Sequence, residues 1–192
     1  MTTDSVIFEM LKRKPMMRFS VYSQIQIEIV QNLSVELVQN LDQAIQDDQI
    51  DGQTFQFIYG RFWLWVLGAY EVTRTMSEYK NCFSGCLNTA VLTFKRSVSI
   101  LRIPFAKQQF QGKENRPING EASVWRFDLV KKDLSFKVGD KVVWMRALIE
   151  EFECLVRSIK PEDVLLGLRA SKTLCSAADI NIPKLEAKDD LG

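Results

Sequence analysis

The chain contains no histidine in its 192 residues. Histidine is the side chain that most readily serves as a general base near neutral pH, and it is also the commonest metal ligand. Its absence excludes Ser-His-Asp and Cys-His catalysis and HExxH zinc sites. Any catalysis would therefore have to use carboxylates, lysine, arginine, tyrosine, cysteine or a bound cofactor.

Cysteine, net charge and long apolar runs are also scarce. Four cysteines do not suggest a disulfide scaffold in a chain of this size. A net charge of +1 gives no sign of the positive excess that is typical of nucleic-acid-binding or membrane-binding proteins. The longest apolar run, Phe62 to Tyr70, covers nine residues, whereas a membrane span needs roughly 20. The early apolar run from Val6 to Leu11 is interrupted by Glu9, unlike a secretory signal. We therefore expect a cytoplasmic protein without a membrane partner.

Periodic apolar residues predict four substantial helices and a shorter fifth. The first is expected from Ser23 to Asp47, because an apolar ladder advances along it in four-residue steps. Its members are Ile25, Ile29, Leu33, Leu37, Leu41 and Ile45. The second is expected from Thr54 to Tyr79 and is apolar nearly all round, which is typical of a helix surrounded by others. Gly60 and Gly68 lack side chains that would keep a neighbouring helix at a distance.

The third helix is expected from Gly85 to Gln109, where apolar spacings of four and three alternate. The residues concerned are Leu87, Val91, Phe94, Val98, Leu101 and Phe105. Pro104 should kink this helix or end it about Ile103. A fourth helix is expected from Trp144 to Ile159, and Pro161 is a good first-turn residue for a fifth through Leu168.

Alternation replaces the helical period between the third and fourth helices. Leu134, Phe136 and Val138 alternate with polar residues, and Gly139-Asp140 is a typical hairpin turn. We expect an antiparallel hairpin or three-stranded meander near residues 122–143. The fold class is therefore a mainly α four- to five-helix bundle with a small β insertion. One domain should cover 1–182, with a polar tail at 183–192 and a poorly ordered N-terminus up to Arg18.

Three charged residues, Arg61, Glu71 and Arg74, interrupt the apolar second helix. Charges in a central helix need partners, because an unpaired buried charge is costly. One interpretation is a pocket in which Arg74 binds an anion and Glu71 orients it or acts as a base, with Tyr79 as a further catalytic candidate. The other is an internal salt bridge that fixes helix packing.

Further candidates lie on the third helix and around the β insertion. Lys95 and Arg102 are seven residues apart and share a helical face, so together with Arg74 they could bind phosphate groups; a solvated face is the alternative. Trp125 and Trp144 border the β insertion and are candidates for a protein interface.

The cysteine spacing does not predict a metal centre. A zinc ion shared by Cys82, Cys86, Cys154 and Cys175 would leave only one loose pair, where a structural site normally shows two tight ones. We therefore expect inert thiols and no metal. The sequence predicts no cofactor either, because it contains no phosphate-binding glycine motif.

Long antiparallel helices with an arginine near the end of a core helix resemble the HEPN superfamily. Its bundles often act as RNases or as non-catalytic partners in toxin–antitoxin and defence systems. The family signature is an arginine followed a few residues later by a histidine, across a dimer interface. In this chain Arg74 is followed by Tyr79 and Arg102 by Lys107, so the histidine of the signature is missing. The resemblance implies an RNase-like site around Arg74.

Two functions therefore remain open. The first is an interaction or regulatory protein that binds another protein or itself, which balanced charge and abundant large apolar residues favour. The second is an anion- or nucleic-acid-binding, RNase-like protein with an Arg/Glu pocket. An exposed apolar patch would support the first. Convergence of Arg61, Glu71 and Arg74 in a cavity would support the second.

Overall fold

The computed structural model describes residues 3–44, 51–107 and 124–167. Its helices are α1 (Thr3–Arg13), α2 (Val21–Ala44), α3 (Gly52–Glu78), α4 (Gly85–Lys107) and α5 (Met145–Ser158). A sheet precedes α5 and consists of β1 (Val124–Asp128), β2 (Asp133–Val138) and β3 (Lys141–Trp144). The predicted helical bundle with a small antiparallel meander is confirmed. The tail expected at 183–192 lies outside the described residues.

Helix α3 lies between α2 and α4, and its inner side faces the sheet and α5. Asp51 caps its start, because the Asp51 carboxylate accepts hydrogen bonds from the backbone N–H groups of Gln53 and Thr54, both at 2.9 Å. Phe62 stacks on Phe136 of β2 with ring centroids 5.0 Å apart. Trp65 packs edge-on against the ring of Phe152 in α5, with ring centroids 5.7 Å apart. These aromatic side chains are fully buried and join the helices to the sheet.

The apolar pattern predicted for α4 is confirmed. All six of its apolar positions are buried, from Leu87 to Phe105. Alternating steps of four and three average about 3.5 residues, close to the period of the helix, so the row stays on one face. Of the two outcomes predicted for Pro104, a kink or an end about Ile103, the end is wrong, since α4 continues to Lys107. The carbonyl of Phe105, beyond the proline, accepts a hydrogen bond from Trp63 Nε1 at 3.0 Å.

The apolar ladder predicted for α2 does not lie on one face. Ile25 and Ile29 are exposed, whereas Leu37 and Leu41 are buried. Four residues turn a helix through about 400°, so each four-residue step moves about 40° around the axis. The ladder therefore winds from solvent into the core. The buried face instead follows steps of three and four through Ile27, Val30, Ser34, Leu37 and Leu41.

The prediction of a fifth helix from Pro161 to Leu168 is wrong for residues 161–167, the part of this segment that the structure describes. Pro161–Asp163 forms one 3-10 turn, and Val164 then makes an isolated antiparallel bridge with Phe83. Ser84 N donates to Asp163 O at 2.9 Å. The backbone groups that a helix would use internally are thus paired with the segment that joins α3 to α4. Leu168 itself lies outside the described residues.

The N-terminus is also more ordered than its composition predicts. Helix α1 is followed by a 3-10 turn at Pro15–Arg18. Met16 and Phe19 are buried, and the ring of Phe19 lies 4.8 Å from that of Phe83. Met16 and Phe19 therefore belong to the core, whereas Val6, Phe8 and Met10 of α1 are exposed.

The three strands form an antiparallel meander in the order β1-β2-β3. Gly139 has φ 59°, a conformation that glycine adopts without strain, and it makes the predicted turn between β2 and β3. Leu134 and Phe136 are fully buried. One face of β2 therefore supplies core residues to the helices.

Asp133 joins the sheet to α5. Its Oδ1 accepts hydrogen bonds from Leu134 N at 2.8 Å and from Arg146 N, in the first turn of α5, at 3.1 Å. Arg146 in turn donates to Asp42 of α2 at 2.7 Å. Burial raises the pKa of the Asp133 carboxyl, against the opposing effect of these hydrogen bonds. The sheet, α5 and α2 are thus held in one network.

Replacing Asp133 with alanine should lower the free energy of unfolding by about 1–3 kcal/mol, because two buried backbone N–H groups lose their acceptor. Urea denaturation measures this loss. Glu150→Ala is the matched control, since Glu150 is an exposed carboxylate on α5. Equal effects of the two substitutions would contradict the role given to Asp133.

The two glycines of α3 provide a second test. A Cβ at Gly68 would lie 3.0 Å from Val30 Cγ2, whereas a Cβ at Gly60 would meet nothing within 4 Å. Gly60→Ala should therefore raise the free energy of unfolding by about 0.5–1 kcal/mol through helix propensity. Gly68→Ala should fall short of that gain by about 1 kcal/mol or more, because Val30 must shift. Equal stabilisation in urea denaturation would show that the α2–α3 contact at Gly68 is not tight.

Candidate functional site

Arg61 does not join Glu71 and Arg74. Its Nη1 donates to Glu36 Oε2 of α2 at 2.6 Å, and its guanidinium lies 4.7 Å from the centroid of the Phe57 ring. Arg61 therefore bridges α2 and α3 near the start of α3. The three charges predicted as one pocket belong to two separate places.

Glu71, Arg74, Glu78, Lys95 and Arg102 form what we call the α3–α4 cluster. Arg74 donates to Glu71 at 2.7 Å and to Glu78 at 2.6 Å. Arg102 Nη2 lies 3.8 Å from Glu71 Oε1, and Lys95 Nζ donates to Ser77 Oγ at 2.7 Å. Of the five predicted ligand-binding residues, the structure thus brings together Glu71, Arg74 and Arg102, while Lys95 lies two helical turns from Arg102 on the same seam.

Arg74 is already occupied within this cluster. The hydrogen bonds to Glu71 and then Glu78 raise the pKa of its guanidinium above the ordinary value. An incoming anion would have to compete with these carboxylates. The ring of Tyr79 lies 6.0 Å from that of Phe19 and is half-buried. Glu71, Arg74 and Tyr79 therefore make structural contacts. These contacts support an acid–base role for the three residues less strongly than the sequence pattern does.

Arg102 is the most shielded cation of the cluster. Its side chain is 25% exposed, and its guanidinium lies 4.7 Å from the centroid of the Tyr70 ring. Its buried Nε donates to no acceptor among residues 3–44, 51–107 and 124–167. Arg102 thus retains hydrogen-bonding capacity that Arg74 has used.

The structure also locates three of the cysteines and one of the two tryptophans predicted to lie at a protein interface. Cys82 is buried, whereas Cys86 and Cys154 are exposed; Cys175 lies outside the described residues. The described residues include no group of three or more Cys, Asp or Glu side chains placed to hold a metal ion. Trp144 is half-buried, with Lys131 Nζ 5.8 Å from its ring centroid. The side chain of Trp125 is not among those described.

A shallow groove of about 430 Å³ opens between α4 and α5. Residues along it include Ala90, Thr93 and Ser97 on α4, with Glu151, Cys154 and Ser158 on α5. The lining supplies a single carboxylate and hydroxyl groups, so it does not assemble an acid–base pair.

No described helix is long and apolar enough to cross a bilayer.

A more distinctive feature is an apolar surface that we call the α2–α3 face. It consists of Tyr22, Ile25, Ile29 and Leu33 on α2 and of Phe57 and Leu64 on α3, with the Glu36–Arg61 ion pair between the two helices. Tyr22 is 80% exposed, Ile25 47%, Ile29 54%, Phe57 44% and Leu64 50%. Leu33 is half-buried beside them.

Helical geometry arranges these residues in two stripes, one on each helix. On α2 the apolar residues recur at intervals of three and four, so they form one stripe that ends at Glu36. On α3, Phe57, Arg61 and Leu64 form a matching stripe. The two helices run antiparallel, because Glu36 pairs with Arg61 while Val30 lies opposite Gly68. Leu33 therefore lies level with Leu64, and from there the two stripes run in opposite directions, towards Tyr22 on α2 and towards Phe57 on α3.

Ile25, Ile29 and Leu33 belong to the apolar ladder predicted for α2, and Phe57 and Leu64 lie in the helix that was expected to be surrounded. The strict four-residue spacing of the α2 ladder requires that part of it face outward. The nearly all-apolar α3 was expected to be surrounded, yet it is covered by α2, α4, the sheet and α5 on only part of its circumference. The uncovered part carries Phe57 and Leu64.

Comparison with family models, with curated proteins and with solved structures finds no match to this chain. The resemblance to HEPN bundles therefore stays a prediction.

Proposed function

We propose that this protein is an interaction module that binds a protein partner through the α2–α3 face. The observation that carries the proposal is the set of large apolar side chains exposed on two adjacent helices. Single exposed apolar residues are ordinary, but several large ones grouped on two neighbouring helices are typical of a binding surface.

The composition of the face favours a protein as the partner. It combines two aromatic rings, Tyr22 and Phe57, with aliphatic residues and one arginine, and it has no lysine. Protein interfaces are enriched in aromatic residues and arginine and depleted in lysine. Nucleic acid would call for an excess of positive charge, whereas Glu36 balances Arg61 at 2.6 Å.

Site-specific photo-cross-linking tests the proposal. A benzophenone side chain in place of Ile29, or in place of Leu64, should give a discrete cross-linked protein product in cells that make the protein. The control position is Leu92, an exposed leucine on α4 away from the face, 45% exposed. If positions 29 and 64 give no more product than position 92, the face does not bind a protein and the proposal is wrong.

The α3–α4 cluster supports a second candidate function, binding of an anion such as the phosphate groups of RNA. The observation that favours it is the shielded Nε of Arg102, which has no acceptor within the described part of the chain. Lys95 and Arg74 are other cations along the same seam, but they already donate to Ser77 and to Glu71 and Glu78. The carboxylates of Glu71 and Glu78 oppose such binding, which makes this the weaker candidate.

Arg102→Ala tests this candidate against Arg96→Ala, since Arg96 is an exposed arginine on the same helix. If the cluster binds RNA, a single-stranded oligonucleotide should bind with an affinity that falls as salt is raised. Arg102→Ala should weaken that binding about tenfold, the effect of losing a charge-assisted hydrogen bond. Fluorescence anisotropy measures both affinities. Absence of binding, or the same loss in Arg96→Ala, would contradict it.

A further inference from the structure

We infer that helix α1 is an interfacial helix by which this protein binds the surface of an anionic lipid bilayer. The helix lies in the plane of the headgroups, with its apolar side towards the acyl chains. This surface is separate from the α2–α3 face, so the inference goes beyond the proposed function. Three observations support it: the exposure of the apolar side, the placement of the basic residues and the attachment of the helix to the core.

The apolar side of α1 is exposed in the described chain. Among residues 3–44, 51–107 and 124–167, α1 makes its main contacts with the turn at Pro15–Arg18. Val6 is 55% exposed, Phe8 61% and Met10 40%. The apolar side of a surface helix normally faces the core of its own protein. These three side chains therefore indicate contact with another apolar phase.

The apolar residues of α1 share one side of the helix. At about 100° per residue, Met10 lies about 40° around the axis from Val6, and Leu11 lies about 140° from it. Phe8, at about 200°, ends this apolar arc. Glu9 lies about 60° from Val6 in the other direction, on the side opposite the middle of the arc. The helix is therefore amphipathic, as helices that lie on a bilayer surface are.

The basic residues of α1 lie at the borders of the apolar arc. Lys12 is at one border, about 40° beyond Phe8, and its Nζ lies 4.6 Å from the centroid of the Phe8 ring. Arg13 is at the other border, about 20° from Val6. Basic side chains in such positions pack their methylene groups beside apolar residues and extend their charged ends to the lipid headgroups. The placement of Lys12 and Arg13 is therefore that of an interfacial helix.

The local charge is complementary to an anionic bilayer. Between residues 3 and 18 the chain has four basic and two acidic residues, a local charge of +2. Lys12 pairs with Glu9 and Lys14 with Glu28, but these four side chains are 37% to 52% exposed. Exposed ion pairs contribute little stability, so lipid phosphates can replace the carboxylates.

The expectation of no membrane partner does not apply to this helix. That expectation rests on the net charge of +1 of the whole chain and on the lack of an apolar run long enough to span a bilayer. Neither property describes a short helix that lies on the surface, where local charge and the apolar side decide the affinity.

A bilayer fits α1 better than a protein or RNA does. Lysine is depleted in protein interfaces, whereas Lys12 lies beside the exposed ring of Phe8. RNA binding uses basic residues but gives no reason for exposed aliphatic side chains such as Val6 and Met10. An anionic bilayer matches both properties, because its headgroups attract basic residues and its acyl chains are apolar.

The end of α1 is attached to the core. Met16 and Phe19, in the segment that follows the helix, are buried. Lys14 N donates to Met10 O at 2.9 Å, and Arg18 Nη1 donates to Pro161 O at 3.5 Å. Binding of α1 to a bilayer therefore holds the helical bundle at the membrane surface.

Vesicle co-sedimentation of the full chain tests the inference. Wild type should sediment with vesicles of equal parts phosphatidylcholine and phosphatidylserine, and much less with vesicles of phosphatidylcholine alone. Added salt should weaken the binding, because it screens the charges. Phe8→Glu removes an apolar contact and Arg13→Glu reverses a border charge, so each should weaken binding to the mixed vesicles about tenfold or more.

Matched controls lie on α4. Leu92→Glu and Arg96→Glu make the same two changes at exposed positions outside α1, and both should bind the mixed vesicles as wild type does. Circular dichroism checks that the variants fold. If Phe8→Glu unfolds, Val6→Glu replaces it, because Val6 is exposed on the same arc; if Arg13→Glu unfolds, Arg13→Gln replaces it.

Several results would overturn the inference. Wild type that does not sediment with the mixed vesicles would do so, as would equal binding to the neutral ones or an equal loss of binding in the two α4 variants. A benzophenone side chain at position 8 that gives a discrete protein product, without vesicle binding, would assign α1 to a protein partner. A single-stranded oligonucleotide bound by Phe8→Glu but not by Arg13→Glu, again without vesicle binding, would assign it to RNA.

Discussion

Burial of α3 is the constraint on which the rest of the structure depends. Phe62 and Trp65 are fully buried, and they lie against Phe136 of the sheet and Phe152 of α5. Helices α2 and α4 flank α3, and the sheet and α5 cover the side of α3 that carries Phe62 and Trp65. The described chain provides nothing to cover the outer side, although that side is apolar at Phe57 and Leu64. This imbalance between apolar surface and cover makes the α2–α3 face the best candidate site.

The charged residues of α3 follow from the same arrangement. An unpaired charge in the centre of the bundle would cost several kcal/mol. Arg61, Glu71 and Arg74 accordingly lie on the part of the α3 surface that is partly exposed to solvent. Arg61 turns to Glu36 on α2, whereas Glu71 and Arg74 form the seam with α4. These ion pairs give each of the three charged groups a partner of opposite charge. Arg102 retains an unused donor, which is why anion binding at the α3–α4 cluster deserves the separate test.

Much of the fold was predictable from the sequence, and the errors have identifiable causes. The row from Leu87 to Phe105 advances by 3.5 residues on average and predicts the buried face of α4 correctly. The ladder from Ile25 advances by four and turns outward, which the prediction for α2 overlooked. Pro161 is a good start for a helix, but Asp163 and Val164 pair with the segment around Phe83 instead. That pairing joins residues about 80 positions apart, so no local pattern reveals it.

The sequence by itself determined the local elements, because the period of the apolar residues and the chemistry of turns act over a few neighbouring positions. Asp51 starts α3 and Gly139 makes the β2–β3 turn in this way. Only the tertiary structure decided which stripes are covered and which charges meet. Glu36 and Arg61 are 25 residues apart, and their contact depends on how α2 and α3 pack. A pattern shows that a residue belongs to an apolar stripe, but its exposure depends on whether another element is there to cover it.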